Sequence, residues 1–470
     1  MTLKIFNTIS KKEEEFKEIE AGKVKMYACG PTVYNFAHIG NLRSYIFEDI
    51  LKKALEYEGY EVTHMINITD VGHLQSDEDT GEDKMELGAK RENKSVLELA
   101  RFYEASFLSD LEKLNIKKPN IIARATEHIE DMINLIKKLE EKGFTYIANG
   151  NVYFSIDKFE DYHKLANLNM NEMKAGSRIK IDEFKKNPFD FVLWFVNSKY
   201  ENHILQWQSP WGKGFPGWHI ECSAMAIKYL GEYIDIHCGG VDHIPVHHTN
   251  EIAQSESALD HKWINYWIHG EFLTTDSEKM SKSSGEFLTL EKLIKDGFSP
   301  IDYRYYVLQS KYRKTLAFTY DKLEEAKKSL DSLRKKISGI IANIDITEVT
   351  NVDAVNKYKS DFKECINDDL NIANAFTVLY EVIKDNYISN NEKKQLIEDF
   401  DRIFSLNLIQ EQGNNKLNEE RIKYIEGLIN ERAQARVNKE WNKSDKIREA
   451  LLQEGIEITD TKEGTVWKLR

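Results

Sequence analysis

The chain has 470 residues, 41% hydrophobic and 30% charged, with a formal net charge of -13. That length exceeds a single core and points to about three domains. The acidic balance excludes nucleic-acid binding by the surface as a whole, so any RNA contact needs a local basic patch.

Met1 to Asn7 shows no apolar core of signal-peptide length, and the apolar run Phe191 to Val196 is too short to span a bilayer. The cysteines Cys29, Cys222, Cys238 and Cys365 are scattered, without paired spacing. These features predict a reducing, cytoplasmic setting with no membrane partner.

In chain order, Met26 to Cys29 reads as a strand that breaks at Gly30-Pro31. Leu42, Ile46, Phe47, Ile50, Leu51, Ala54 and Leu55 then recur at helix period until Gly59, and Val62 to Ile68 reads as a second strand. This β-α-β unit predicts a doubly wound, Rossmann-type parallel sheet, with residues 1–110 as its first half. Residues 111–210 read as an inserted connective subdomain with helical stretches such as Glu127 to Lys142. The sheet resumes over 211–270, where Tyr233 to His237 reads as a strand entering the turn Gly239-Gly240-Val241-Asp242. Residues 271–317 form a signature-loop region. Leu323, Ala326, Leu330, Leu333, Ile337, Ile340 and Ile344 make one apolar seam, and Leu370 to Ile383 a second helix, so 318–409 reads as an α-helical bundle. The polar stretch 410–415 is a linker, and 417–470 a small tail domain.

Two short motifs carry chemistry. His38-Ile39-Gly40-Asn41 places donors beside a helix start, and Lys279-Met280-Ser281-Lys282-Ser283 places two ammonium groups on a short Ser-rich loop. In this order on an α/β background they describe a site for the triphosphate of ATP, where donors are needed as charge grows in the transition state. Cys29, Cys222, His247 and Glu251 form a candidate zinc set. If Val246 to Leu259 is helical, His247 and Glu251 face the same way one turn apart. Spacing leaves His243 and His248 open as alternatives, and each cysteine also reads as a buried small hydrophobe.

The flanking segments make the pattern specific. Met26-Tyr27-Ala28-Cys29-Gly30-Pro31-Thr32-Val33-Tyr34, Asn67-Ile68-Thr69-Asp70, Pro216 to Met225, Asn250-Glu251-Ile252-Ala253-Gln254, Lys279 to Ser283, Asp368 to Asn371 and Glu431 to Arg436 occur in order along almost the whole chain. The chain resembles the cysteine-specific class I aminoacyl-tRNA synthetases. The resemblance implies ATP-dependent ligation of L-cysteine to its tRNA through a cysteinyl-adenylate, with ATP and Mg²⁺ as substrate and one Zn²⁺ per chain selecting cysteine over serine. It puts the zinc ligands on Cys29, Cys222, His247 and Glu251. Catalytic phosphate contacts fall on His38, Asn41, Lys279 and Lys282, with Gly40, Met280, Ser281 and Ser283 completing the two ATP-binding motifs. Gly30, Thr69, Trp218 and His237 would lie near cysteine, and Gly240 and Asp242 near adenosine. A monomer is expected.

Three positions depart from the family's pattern. Asn41 stands where class I signatures often have His, Cys238 where the family tends to have Gly, and Thr249 where an acidic residue is usual. In the tail, Arg432, Arg436, Lys439, Lys443 and Lys446 fall on one stripe of a helix, beside an apolar face of Ala433, Val437, Trp441 and Leu451. The stripe suits RNA-backbone contact; interleaved acids also allow an ordinary solvated helix. The alternatives are a cysteine ligase with an amino-sugar acceptor in thiol cofactor synthesis, a nucleotidyltransferase sharing the first motif, and a catalytically silent RNA- or zinc-binding paralogue.

Overall fold

The computed structural model describes residues 2–71, 95–166, 183–196, 205–275, 278–279, 288–345, 351–409, 419–438, 440–453, 456–461 and 464–469. The chain divides into two compact units, Met1–Leu408 and Ile409–Arg470.

The first unit is built on a five-stranded parallel sheet. Strand β1 (Lys23–Ala28) leads into helix α1 (Ile39–Tyr57), then β2 (Glu61–Ile68) and β3 (Ile121–Arg124). Helix α2 (Trp218–Leu230) precedes β4 (Ile234–Gly240), helix α3 (Thr249–Leu259) and β5 (Ile264–Gly270). The spatial order is β5-β4-β1-β2-β3. From β1 the sheet grows one way through α1, and from β4 the other way through α3. The crevice between β1 and β4 is therefore the point where an open α/β sheet receives its ligand.

Helix α1 forms for the reason its period announces. Leu42, Ile46, Ile50, Leu51, Ala54 and Leu55 are all buried against the sheet. The helix stops before Gly59, whose φ of 100° favours glycine. The buried Arg304 ties α1 to later parts of the chain: it bonds Asp49 at 2.6 Å and the Leu114 and Phe404 carbonyls at 3.0 and 2.7 Å.

The segment expected as an insertion, 111–210, contributes to two sheets. Its early strand β3 pairs in parallel with β2 and belongs to the main sheet. Its later strands, Thr145–Ala148, Asn151–Phe154 and Phe191–Phe195, join Phe215–Pro216 in a four-stranded antiparallel sheet. Strand β4 likewise runs further than expected. Gly239 and Gly240 pair with His269 and Gly270, so the turn starts at Val241. Helices Tyr320–Ala342, Val352–Asn367, Ile372–Lys384 and Asn390–Phe404 form the bundle, with Leu323, Ala326, Leu330, Leu333 and Ile337 of the expected seam buried, Ile340 half-buried and Ile344 beyond the end of the helix.

In the second unit the basic segment is not one helix. Helix α4 (Glu419–Val437) ends and α5 (Trp441–Gln453) begins, with Glu440 accepting from the Lys443 and Ser444 amides at the new start. The pair packs on the hairpin Ile456–Thr461 and Gly464–Leu469 around Ile425, Ile429, Ile447, Leu451, Ile456 and Ile458. Among the described residues, no helix is long and apolar enough to cross a membrane.

Candidate active site and metal centre

The first motif is a helix cap. His38 Nδ1 accepts from the Asn41 amide at 3.0 Å, and Asn41 Oδ1 accepts from the His38 amide at 3.3 Å. This reciprocal box satisfies two helix-start donors. It fixes the tautomer: Nδ1 accepts, so Nε2 carries the proton and is a donor. It also accounts for the asparagine at 41, whose carbonyl closes the box while its amide NH₂ keeps donor capacity. Gly40 leaves room for the cap, since a Cβ there would sit 3.0 Å from the His38 ring and press it out of place.

The second motif reaches the same place by its flanks. Glu278–Lys279 pairs with Leu273–Thr275, and Thr289 bridges back to His38, with the Ile39 amide bonded to the Leu288 carbonyl at 2.8 Å. Both ends of the loop are thus anchored near the start of α1. Met280, Ser281, Lys282, Ser283 and the Lys279 side chain lie outside the described residues.

Cys29, Cys222, His247 and Glu251 converge, with one donor atom from each within 4.8 Å of all the others, and all four are buried. Cys29 follows β1, Cys222 lies on α2, and Glu251 lies on α3. His247 lies not in regular helix but in a π-helical turn, Ile244–His248, that Thr249 closes by bonding the Ile244 carbonyl at 2.7 Å. This is what the threonine does where an acid is usual. His247 Nε2 reaches Glu251 Oε1 at 3.0 Å, as the one-turn spacing predicts. The wider turn also brings in its neighbour: His248 Nε2 lies 3.3 Å from Cys29 Sγ. Cys29, His237, His248 and Glu251 therefore make a second, overlapping group. Cys238 belongs to neither. It alternates with His237 along β4, and His237 is the residue facing Glu251.

The electrostatics of the first group are those of an ionised pair. Burial opposes a thiolate at Cys222, but the Cys29 hydrogen bond and the charge of His247 lower it to about 6. Burial opposes a charged His247, yet Cys222 and Glu251 raise it to about 10. Burial would raise Glu251; His237 and His247 lower it to about 2. Burial and the Cys222 sulfur push the Cys29 thiol well above its usual range. Outer partners hold the rings: His219 Nδ1 meets His247 Nδ1 at 3.0 Å, and His237 Nδ1 meets the Cys238 carbonyl at 3.2 Å.

These groups border a cleft that measures about 1200 Å³ when the open solvent at its mouth is included. Cys29, Cys222 and His247 line it, as do Gly30, Thr69, Trp218, Asn41, Gly240 and Asp242. His237 does not. It is fully buried behind Glu251, whose oxygens lie 3.2 and 3.3 Å from its Nε2. Asn67 sets the wall by bonding the Gly30 amide at 2.7 Å and Thr69 Oγ1 at 3.0 Å. A Cβ at Gly30 would fall 1.6 Å from the Asn67 carbonyl, so only glycine fits. Motif reasoning assigns no role to Asn67, to His219 or to Glu221, which accepts from Thr69 Oγ1 at 3.2 Å. Their only signal in the sequence is membership in the motif segments.

The basic residues of the tail do not share a stripe. Arg432 is buried on α4. Lys443, on α5, bonds Glu431 at 2.9 Å. Arg436 and Lys446 are exposed, and Lys439 lies outside the described residues. The expected apolar face also changes: Val437 and Trp441 are 74% and 58% exposed, while Ala435 and Ile447 are buried.

Residues 15–328 match the family model described as tRNA synthetases class I (C) catalytic domain, and residues 361–405 match the DALR domain. A cysteine--tRNA ligase of Treponema denticola is 48% identical over 490 residues, covering 100% of both chains. That of Borreliella burgdorferi is 43% identical over 477 residues, covering 99% of each. Among solved structures, methionyl-tRNA synthetase of Mycobacterium tuberculosis with methionyl-adenylate superposes with a TM-score of 0.55 at 14% identity, covering 82% of this chain and 90% of that one. A LeuRS–tRNA–LeuAMS complex from Agrobacterium radiobacter gives 0.59 at 9% identity, covering 83% and 84%. These distant likenesses establish the shared fold.

Proposed function

Because the chain belongs to the cysteine--tRNA ligases, a family of class I tRNA synthetases, we propose roles for the residues around its cleft in the reaction of that family. The enzyme joins cysteine to tRNA: the cysteine carboxylate attacks the α-phosphate of ATP, pyrophosphate leaves, and a terminal ribose hydroxyl takes the cysteinyl group from the adenylate. The amino-sugar ligase, the nucleotidyltransferase and the silent paralogue are not favoured, since relatives of one activity match over the whole chain.

One observation carries the assignment. Ala37 and Asn41 at the start of α1, and Cys29, Cys222 and His247 of the buried metal group, line a single cleft at the point where the strand order reverses. At its α1 end, His38 Nε2–H and the Asn41 amide donate to the α-phosphate as negative charge grows. Lys279 and Lys282 hold the leaving pyrophosphate, mostly in the transition state. Lys282→Ala is then expected to slow cysteine-dependent pyrophosphate exchange about 100-fold with cysteine affinity within about twofold. An unchanged exchange rate would return Lys282 to an ordinary surface role.

At the other end the donors fit zinc: two sulfurs, an imidazole and a carboxylate, all buried and within mutual ligation distance. Zinc held there would supply a centre that binds a thiolate far better than a serine hydroxyl. Packing alone discriminates weakly, since a small change of group in a pocket is worth about 1–3 kcal/mol. Cys29, Cys222 and His247 face the cleft, and Glu251 lies behind them against His237. Glu251 would hold the ion from behind, as the one hard oxygen donor of the set.

The pH dependence of metal uptake follows from the charges. Near neutral pH, Cys222 is already a thiolate and Glu251 a carboxylate, while Cys29 and His247 carry protons that ligation must displace. About two protons are expected per zinc bound, so the logarithm of apparent affinity should rise with a slope of about 2 between pH 7 and 9. Competition with a chromogenic chelator reads the slope, and a flat profile would remove this donor set.

The tail would serve tRNA. Arg436 and Lys446 are its exposed candidates for phosphate contact, and Arg432 acts within the fold.

A further inference from the structure

Helix α1 turns one face to the cleft, and Asn41, Ser44, Tyr45 and Glu48 all line it. Their spacing of three and four residues is a single helix stripe. Asn41 stands at the phosphate end. Glu48 lies seven residues on, about 10 Å further along the axis. Glu48 is 1% exposed, and among the described residues neither of its carboxyl oxygens has a hydrogen-bond partner.

The other buried charges of the same helix are satisfied. Arg43 bonds the Glu271 carbonyl at 2.8 Å, Asp49 bonds Arg304 and Lys53, and Lys52 bonds Asn120 at 3.0 Å. A buried carboxyl left without a partner is strongly unfavourable, and in native proteins it calls for a specific explanation. The stripe leads into a substrate cleft, which points to a group that arrives with the substrate.

The chemistry of cysteine names that group. Its thiolate goes to the wall of Cys29, Cys222 and His247, and its carboxylate goes to the α-phosphate at the start of α1. Its ammonium needs an acid. Among the described residues, Glu48 and Asp242 are the acids on the cleft wall. Asp242 is exposed, on the turn after β4. Asp70, nearby in sequence to Thr69, already accepts from the Thr126 amide and hydroxyl at 2.9 and 2.7 Å.

We propose that Glu48 holds the α-ammonium group of the cysteine substrate, so that the amino acid spans the cleft from the thiol-binding wall to α1. The inference rests on this cleft being the cysteine site. Burial alone raises the Glu48 carboxyl well above the usual range. An ammonium placed against it favours the carboxylate and gives its oxygens their missing donors.

The test uses the full-length protein and two ligands: L-cysteine, and 3-mercaptopropionate, which keeps the thiol and the carboxylate but lacks the ammonium. Binding is read by tryptophan fluorescence, and activation by pyrophosphate exchange. Glu48→Gln keeps the volume and removes the charge. It should weaken cysteine binding about 10- to 100-fold, with 3-mercaptopropionate binding and the KM for ATP unchanged. Glu48→Met should do the same and raise the unfolding temperature, because an unpartnered polar group is replaced by an apolar one of similar length. Equal weakening of both ligands, or of neither, overturns the ammonium role. Cys222→Ser separates this from a failure of the site itself: if that variant binds both ligands normally, the cleft is not where cysteine sits.

Discussion

Cys222→Ser is expected to abolish stoichiometric zinc binding and to slow cysteine activation at least about 1000-fold, with ATP affinity within about twofold of wild type. The substitution is nearly isosteric, so the effect is one of donor chemistry. Cys222 is held as a thiolate by the Cys29 hydrogen bond and the charge of His247. A serine hydroxyl does not ionise near neutral pH and is a hard, weak ligand for zinc. His247 would also lose the thiolate that keeps it charged. The ATP-handling residues at the start of α1 are held by their own capping box and do not depend on Cys222. Metal content by atomic absorption and pyrophosphate exchange at saturating ATP check the two halves. Metal-free wild-type protein that activates cysteine at the normal rate would end the zinc reading.

Deleting residues 409–470 is expected to leave cysteine-dependent pyrophosphate exchange within about twofold and to reduce transfer to tRNA more than about 100-fold. The deleted part is a compact unit with its own apolar core of Ile425, Ile429, Ile447, Leu451, Ile456 and Ile458. Every candidate ATP, cysteine and metal residue precedes it. On a chain of net charge -13, the exposed Arg436 and Lys446 offer phosphate partners. Reversing both to Glu should weaken tRNA binding and lower the salt slope by about 2, since fewer counterions are released. Charging of tRNA by the truncated protein at the full-length rate would make the tail structural.

Elements with local signals are legible in the order of residues alone. The apolar period of α1 and its stop at Gly59 predict a helix that the fold contains, because one face of a surface helix must be buried. The two phosphate motifs and the four metal candidates are legible because each chemistry demands particular residue types in order along the chain. Packing governs whatever depends on a partner distant in sequence. A π-helical turn, closed by Thr249, brings both His247 and His248 toward Cys29 and Glu251, which residue spacing could not resolve. Strand alternation along β4 separates His237 from Cys238. The basic stripe of the tail dissolves because the chain turns between Val437 and Trp441, so that burial follows the packing of two helices on a hairpin rather than one continuous period. Glu48 reads in sequence as one more polar residue on a helix. Only the packed fold removes it from water and leaves it, among the described residues, without a hydrogen-bond partner at the cleft, because solvation is set by everything that surrounds a side chain and not by its neighbours along the chain.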